Sequence, residues 1–359
     1  MSRRRPDADV KIGVHVGFEQ RLLARLKRHF AARSLIVVGF SGGADSLALA
    51  AALARVTPLS GASVELLHVD HGLRASSGEE ADHARELAAF LGMRCSTAKV
   101  DERRLAAHVG VGIEEAARRE RYRIFASAIR AKDGAAVALA HHQTDQAETV
   151  LLHLLRGSGV HGAAGMQEHM HLTVPWWEDA DARPTVRLPV WRPMLGESRD
   201  EVRAYAAALE VRPNEDSSNA DTSYRRNAVR HEVLPVLERV SPGSTAALAR
   251  YAHHSSQADD LLQSLVAAEF KQARLDGNKL CADAIKQIHP ALKRALIHAW
   301  LTSFRIEPGA ERVDAVLDLL ARPRRDRRIE VGRGLCVTIN DGQVEVGDCA
   351  DAAGSAAVP

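Results

Sequence analysis

Cysteine is sparse, with 4 in 359 residues. Cys95, Cys281, Cys336 and Cys349 lie far apart and form no CxxC pair. That spacing argues against a disulfide framework, a zinc ribbon or an iron–sulfur site, and agrees with a reducing cytoplasm. Long apolar runs are also missing. The longest candidate, Leu47 to Ala54, is short and alanine-rich, far below the ~18 consecutive apolar residues of a membrane helix. The basic start, Met1-Ser2-Arg3-Arg4-Arg5, lacks the apolar stretch of a secretory signal. Aromatics make up only 4% of the chain, so an extended surface stacking many single-stranded bases is not expected. Net charge is only +2 and lysine is scarce beside arginine. Any RNA recognition would rest on arginine contacts and shape. The 46% hydrophobic and 26% charged fractions are those of a globular chain long enough for about two domains.

From Leu35 to about Leu155 strand and helix patterns alternate. Leu35–Val38 is a β-branched run ending in Gly39-Phe40-Ser41-Gly42-Gly43, and a helix follows from Asp45. Val64–Val69 reads as a strand and Ser77–Leu91 as a serine-capped helix. Arg94–Val100, Ile113–Lys132, Ala136–Ala140 and Thr144–Leu155 continue the cadence as strand, helix, strand and helix. This predicts an α/β fold with a doubly wound parallel sheet, whose ligands sit at the carboxyl ends of the strands. Residues 157–196, rich in Gly, Pro and Trp, read as a long loop region. Glu197–Leu209 and Tyr224–Arg239 read as helices, with Pro235 bending or ending part of the second. Ser241-Pro242-Gly243 is a plausible boundary before a smaller, mostly helical domain with a β hairpin turning at Asn340-Asp341-Gly342. The expected domains are an N-terminal segment 1–32, a catalytic domain 33–240, a helical domain 241–349 and a frayed tail 350–359.

The strongest local signal is Ser41-Gly42-Gly43-Ala44-Asp45-Ser46, between a strand and a helix. Free N–H groups at a helix start favour an anion, and glycines let the backbone approach a phosphate. No lysine follows the glycines, so this is not a Walker A loop; Asp45 within it suits a metal–phosphate complex. A tight βα turn is the plain alternative. Asp145 and Glu148, three apart on a helix, share a face and could hold a hard cation, or could simply be acids favoured in a first turn. His141 and His142 lack a cysteine partner and suit polar contacts better than zinc. Glu114, Arg118, Arg121 and Tyr122 lie on roughly one side of their helix, a pattern that usually marks an exposed, salt-bridged face. Arg225, Arg226 and Arg230 place three cations within two helical turns, either a solvated face or a phosphate contact.

The loop's wording resembles the SGGxDS loop of the N-type ATP pyrophosphatases, the PP-loop superfamily, which split ATP between the α and β phosphates and adenylate their substrates. Further segments, in order, resemble one branch, the tRNA(Ile)-lysidine synthetases. They are His68-Val69-Asp70-His71-Gly72-Leu73-Arg74, Ile113-Glu114 to Tyr122, and His141-His142-Gln143-Thr144-Asp145-Gln146-Ala147-Glu148-Thr149. Leu154-Leu155-Arg156-Gly157-Ser158-Gly159, Gly165-Met166, Arg192-Pro193-Met194-Leu195, Glu215-Asp216-Ser217-Ser218-Asn219 and Tyr224-Arg225-Arg226-Asn227 to Arg230 continue the series. The likeness spans roughly residues 33–240. One departure stands out: the family reads HHxDDQxET, and Thr144 occupies the place of the first aspartate.

The resemblance implies ATP and Mg²⁺ as cofactors, with ATP bound by Ser41, Gly42, Gly43, Ala44, Asp45, Ser46, His71 and Arg74. Asp45, Asp145 and Glu148 would hold the metal, and Arg118 would stabilise the phosphates. Glu114, His141, His142 and Arg192 would contact substrate, and Arg225, Arg226 and Arg230 the tRNA phosphates. Glu215, Asp216 and Asn219 could instead hold an amino acid's amino group. The implied reaction joins free L-lysine to C2 of the wobble cytidine in the CAU anticodon of tRNA(Ile), through an adenylated cytidine. A cytoplasmic homodimer without membrane attachment is the implied setting. A 2-thiolation enzyme of the same superfamily and a catalytically decayed tRNA-binding protein are the alternatives. The cysteine spacing weighs against the first, and the intact loop against the second.

Overall fold

In the computed structural model, residues 16–72, 77–175, 185–214, 225–276, 279–304, 306, 309–322 and 327–349 are described. Two compact units, Met1–Ser256 and Gln257–Pro359, divide inside one long helix. The Ser241-Pro242-Gly243 break instead forms the turn just before that helix, Ser244–Ala273.

The β-branched run becomes β1 (Leu35–Gly39), with Ile36, Val37 and Val38 all buried. A strand buried on both faces needs a layer on each side. On one side lie α1 (Val16–His29), α2 (Ala44–Val56), α3 (Ser77–Phe90) and α8 (Arg199–Ala207), which bring Phe18, Leu22, Leu49, Leu53, Leu87, Val202 and Tyr205 against Ile36 and Val38. The alanines of α2 are nearly all buried, so that helix packs close to the sheet. On the other side α5 (Ile113–Lys132) sets Tyr122, Phe125 and Ile129 against Val37 and Val137. Between these lie β2 (Ser63–Asp70), β3 (Cys95–Lys99), α4 (Glu102–Ala106) and β4 (Ala136–Ala138), followed by α6 (Gln143–Leu154) and α7 (Val160–Ala163).

The sheet order is β3-β2-β1-β4-β6-β5, where β5 is His169–Val174 and β6 is Val186–Trp191. All neighbours pair in parallel except β5 with β6. The doubly wound expectation holds, and β5 and β6 correct the reading of 157–196 as loop. Their flanking Gly, Pro and Trp residues hid two strands at the sheet edge. From β1 the chain steps outward to β2 and β3, then returns to β4 on the other side. The carboxyl ends of β1 and β4 therefore part at a switch point, where an open α/β sheet leaves a crevice.

Glu197, buried after β6, ties α1 to this crevice. Arg21 Nη2 and Arg25 Nη1 donate to its carboxylate at 2.6 and 2.5 Å, and the Glu197 carbonyl accepts the Gln143 N–H at 2.9 Å. Burial raises the Glu197 pKa, but Arg21 and Arg25 outweigh it and hold the carboxyl below its usual range.

The second unit has its own core, including Leu280, Leu296, Trp300, Val316 and Val337. Helices α9 (Ala282–Gln287), α10 (Pro290–Ser303) and α11 (Ala310–Ala321) accompany an antiparallel sheet ordered β7-β10-β9-β8. Its strands are β7 (Leu280–Cys281), β8 (Ile329–Gly332), β9 (Leu335–Asn340) and β10 (Gln343–Asp348). The hairpin turns as expected at Asp341-Gly342, both with positive φ, and two further strands flank it. Cys336 and Cys349 form a disulfide here, which the reading against a disulfide framework did not anticipate. Cys336 faces Gly347 across the hairpin, so the turn brings together two residues that are 13 apart in sequence. Cys95 and Cys281 are free. The tail 350–359 lies outside the described residues. No helix among the described residues is long and apolar enough to cross a membrane.

Candidate active site

The Ser41–Ser46 loop leaves β1 at the crevice and starts α2. Gly42 has φ +80, a conformation that costs a residue with a Cβ, and Gly43 caps α2 without any side chain covering the helix's first N–H groups. Uncovered N–H groups at a helix start favour an anion. The loop is internally braced: Ser41 Oγ accepts the Gly43 N–H at 3.2 Å and lies 3.1 Å from Ser46 Oγ, and Ser46 Oγ donates to the Gly43 carbonyl at 3.0 Å. Asn214 holds it from outside. Its Nδ2 donates to the carbonyls of Ser41 (3.0 Å) and Glu80 (3.2 Å), and its N–H donates to Gly42 O at 2.9 Å. Sequence reasoning missed Asn214, because a lone polar residue carries no sign of a partner 173 positions away.

Across the crevice, β4 leads to His141 and His142. The His142 imidazole accepts the Thr144 N–H at 3.2 Å, and Asp145 Oδ2 accepts the His142 N–H at 2.9 Å, closing a capping box on α6. Thr144 thus contributes its backbone to a cap. Asp45 Oδ2 lies 3.6 Å from His142 Nε2, so the two strand ends meet at Asp45.

Asp145 and Glu148 face the same way, as their spacing predicted, but arginines already hold them. Glu148 is fully buried. It accepts Arg226 Nε at 2.7 Å and Arg230 Nε at 2.5 Å, with Arg230 Nη2 at 3.0 Å. Asp145 Oδ1 accepts Arg226 Nη2 at 2.9 Å and Arg230 Nη2 at 3.0 Å. Burial alone would lift the Asp145 pKa; the surrounding imidazoles, Arg226 and the His142 N–H outweigh it and hold the carboxyl at about 2. Arg226 responds in kind, with burial outweighed by the two carboxylates so that its pKa is raised. Every carboxylate oxygen of Asp145 and Glu148 therefore has a donor, which departs from the expectation that both ligate a metal. Among the described residues no group of three His, Cys, Asp or Glu side chains is set to hold one. Asp45 differs: its Oδ1 is buried with no hydrogen-bond partner, an oxygen suited to a hard cation that also binds phosphate.

The depressed Asp145 pKa gives a testable pH dependence. Its contribution to stability is complete above the ordinary carboxyl value of 3.8 and is lost as pH falls through about 2. Thermal unfolding followed over that window is expected to fall less steeply for Asp145→Asn than for wild type. Equal slopes would contradict the arrangement.

Further unpaired polar atoms lie just past the carboxyl ends of β2, β4 and β6. His71 Nδ1, His141 Nδ1 and Arg192 Nε are buried without partners. Burial, then Arg121, lowers the His71 pKa to about 4, and burial lowers that of His141 to about 3, so both rings are neutral near pH 7. Burial also lowers the Arg192 and Arg121 pKa values, and Arg192 Nη1 donates to Gln167 O at 3.0 Å. Arg118 and Arg121 lie 5.8 and 5.9 Å from the Tyr122 ring centre. Arg118 is largely exposed with Glu115 3.8 Å away, and Glu114 and Arg225 are exposed. Arg199 on α8 was not anticipated; burial and the Arg203 and Arg230 charges lower its pKa, while Asp45 and Glu148 pull the other way. Arg74, Glu215, Asp216 and Asn219 lie outside the described residues.

Comparison with known proteins agrees with this geometry. A family profile described as a PP-loop domain matches residues 15–237, more than half of the chain, and one described as a TilS substrate binding domain matches residues 280–343. The chain is 36% identical over 308 residues to the tRNA(Ile)-lysidine synthase of Alkalilimnicola ehrlichii, covering 84% of this chain and 65% of that protein. It is 41% identical over 247 residues to the tRNA(Ile)-lysidine synthase of Deinococcus deserti, covering 69% of this chain and 42% of that protein. It thus spans less than two thirds of either relative. Among solved structures, the U34-tRNA thiolase NcsA of Methanococcus maripaludis superposes with a TM-score of 0.54 at 16% identity, over 67% of this chain and 80% of that one, a likeness of fold. With a PP-loop profile matched over most of the first unit, and its loop set at the switch point of the expected sheet, this chain belongs to the PP-loop family.

Proposed function

We propose that this chain ligates lysine to C2 of the wobble cytidine in the CAU anticodon of tRNA(Ile), using ATP. Cytidine O2 would attack the α-phosphate, and the bond to the β-phosphate would break to release pyrophosphate. The ε-amine of lysine would then attack C2, expelling AMP and losing a proton. The observation that carries this reading is the meeting of an open phosphate loop, the unpaired Asp45 Oδ1, two buried and unpaired imidazole nitrogens and the unpaired Arg192 Nε in one crevice. The names of relatives 36–41% identical supply the substrate.

Each residue has a task the geometry suits. The Gly43–Ser46 N–H groups and loop would bind the β- and γ-phosphates. Arg192 and Arg121, low in carboxylate partners among the described residues, would take the charge that develops at the α-phosphate. Mg²⁺, when bound, would neutralise phosphate oxygens, with Asp45 Oδ1 as its protein ligand. His71 and His141, neutral and unpaired at Nδ1, would accept hydrogen bonds or a proton from substrate. Asp145 and Glu148 would hold Arg226 and Arg230 at the crevice wall. Arg118, Glu114 and Arg225 would act at the mouth, and a cytoplasmic homodimer is the proposed setting. A 2-thiolation reading is not favoured, since the free Cys95 and Cys281 belong to different units.

The test incubates the protein with ATP, Mg²⁺, radiolabelled lysine and a CAU-anticodon tRNA(Ile) transcript. Label entering tRNA with wild type, and none with Asp45→Ala, is expected. Tight tRNA binding without label would overturn the proposal.

A further inference from the structure

The segment Leu154–Gly159 has no part in the chemistry above, yet it exposes apolar surface. Leu155 is 76% exposed, Gly157 has φ +74, and nothing lies near the open side of Gly157 or Gly159. Beside it runs a groove of about 330 Å³ between the end of α6 and the helical segment 225–233. Leu152, Leu155, Val229 and Val233 form its apolar walls, and Arg156 and Arg225 stand on its rim. Neither arginine has an acidic partner among the described residues. The segment 225–233 is itself fixed by the Arg226 and Arg230 forks, so the groove has a firm wall. Leu152 on α6 and Leu155 at its C-terminal cap follow Glu148 by four and seven residues, or about 6–10 Å along the helix axis.

We propose that this groove holds the base of an unpaired nucleotide next to the one that reacts. The inference rests on the RNA-modifying reading above. An apolar slot with a cationic rim matches a flat base and the phosphate attached to it. Its size suits one ring system; a stable protein interface needs roughly 800 Å² from each partner. Its position, one to two helical turns from the catalytic crevice, is the reach of a neighbouring nucleotide.

The experiment compares wild type with Leu155→Ser and Val233→Ser, both exposed positions outside the catalytic set. The RNA probes are an anticodon stem-loop with a CAU loop and versions with single abasic sites beside the cytidine. Expected results are an RNA affinity about tenfold weaker for the variants, ATP affinity unchanged without RNA, and an abasic probe that weakens wild type but not the variants. Unchanged RNA affinity in both variants, with wild type binding and modifying the stem-loop, overturns the groove assignment alone. So does loss of a wild-type dimer in sedimentation with RNA affinity intact, which assigns the groove to a second copy. A wild type that binds no RNA removes the functional reading together with this one.

Discussion

A Glu148→Gln variant is expected to lose about 3 kcal/mol of stability, the lower end for breaking a buried ion pair. Glu148 is fully buried, and two guanidinium groups donate three hydrogen bonds to it. Glutamine keeps the shape but turns an NH₂ toward one arginine and removes the charge that both were placed to meet. Arg230 is 16% exposed, so it has little water to fall back on, while Arg226 at 43% has more, which is why the lower end applies. The melting temperature should drop by about 6–12 °C. Lysine incorporation should fall by about a hundredfold, because the helical segment carrying Arg226 and Arg230 no longer seats against α6. Pairing Glu148→Gln with Arg230→Met should recover part of the stability, since the stranded charge is then gone. An unchanged melting temperature in the single variant would show that these ion pairs do not hold the crevice wall.

Gly42→Ala is expected to weaken ATP binding by about a hundredfold, measured calorimetrically without RNA. Two penalties coincide there. The residue's φ of +80 costs any Cβ-bearing residue about 1–2 kcal/mol, and a Cβ would lie 2.6 Å from Asn214 Nδ2. Asn214 would have to leave, releasing the Ser41 and Glu80 carbonyls together. Asn214→Ala keeps its backbone bond to Gly42 and should weaken ATP by only about tenfold. Adding it to Gly42→Ala should relieve the clash in part, leaving the double variant better than the sum of the two. Wild-type affinity in Gly42→Ala would mean that the loop does not receive the phosphates.

The residues that proved readable from sequence share one property: their meaning is local. Leu35–Gly39 is β-branched and followed by glycines, so strand, turn and helix follow from neighbours alone. The α6 start is similar, because Asp145 and Glu148 share a face through helical spacing. What sequence could not show depends on partners far along the chain. Arg226 and Arg230 read as free cations because their carboxylates lie about eighty residues earlier. Asn214 is one polar residue among many until Ser41 and Glu80 are placed beside it. Cys336 and Cys349 match no metal or redox spacing, and only the hairpin register brings them together. The β5–β6 edge was masked by composition, since the glycines before β5 and the prolines between the two strands look like loop.

The Glu197 junction has a consequence for how this chain tolerates change. Arg21 and Arg25 sit on a helix outside the crevice, but through one carboxylate and one carbonyl they reach the first turn of α6. Substitutions at these two positions would be selected against as strongly as many in the crevice, although neither side chain meets a reactant. An inventory of sensitive positions in this chain would therefore include a cluster remote from the crevice, and only the wiring through Glu197 explains why.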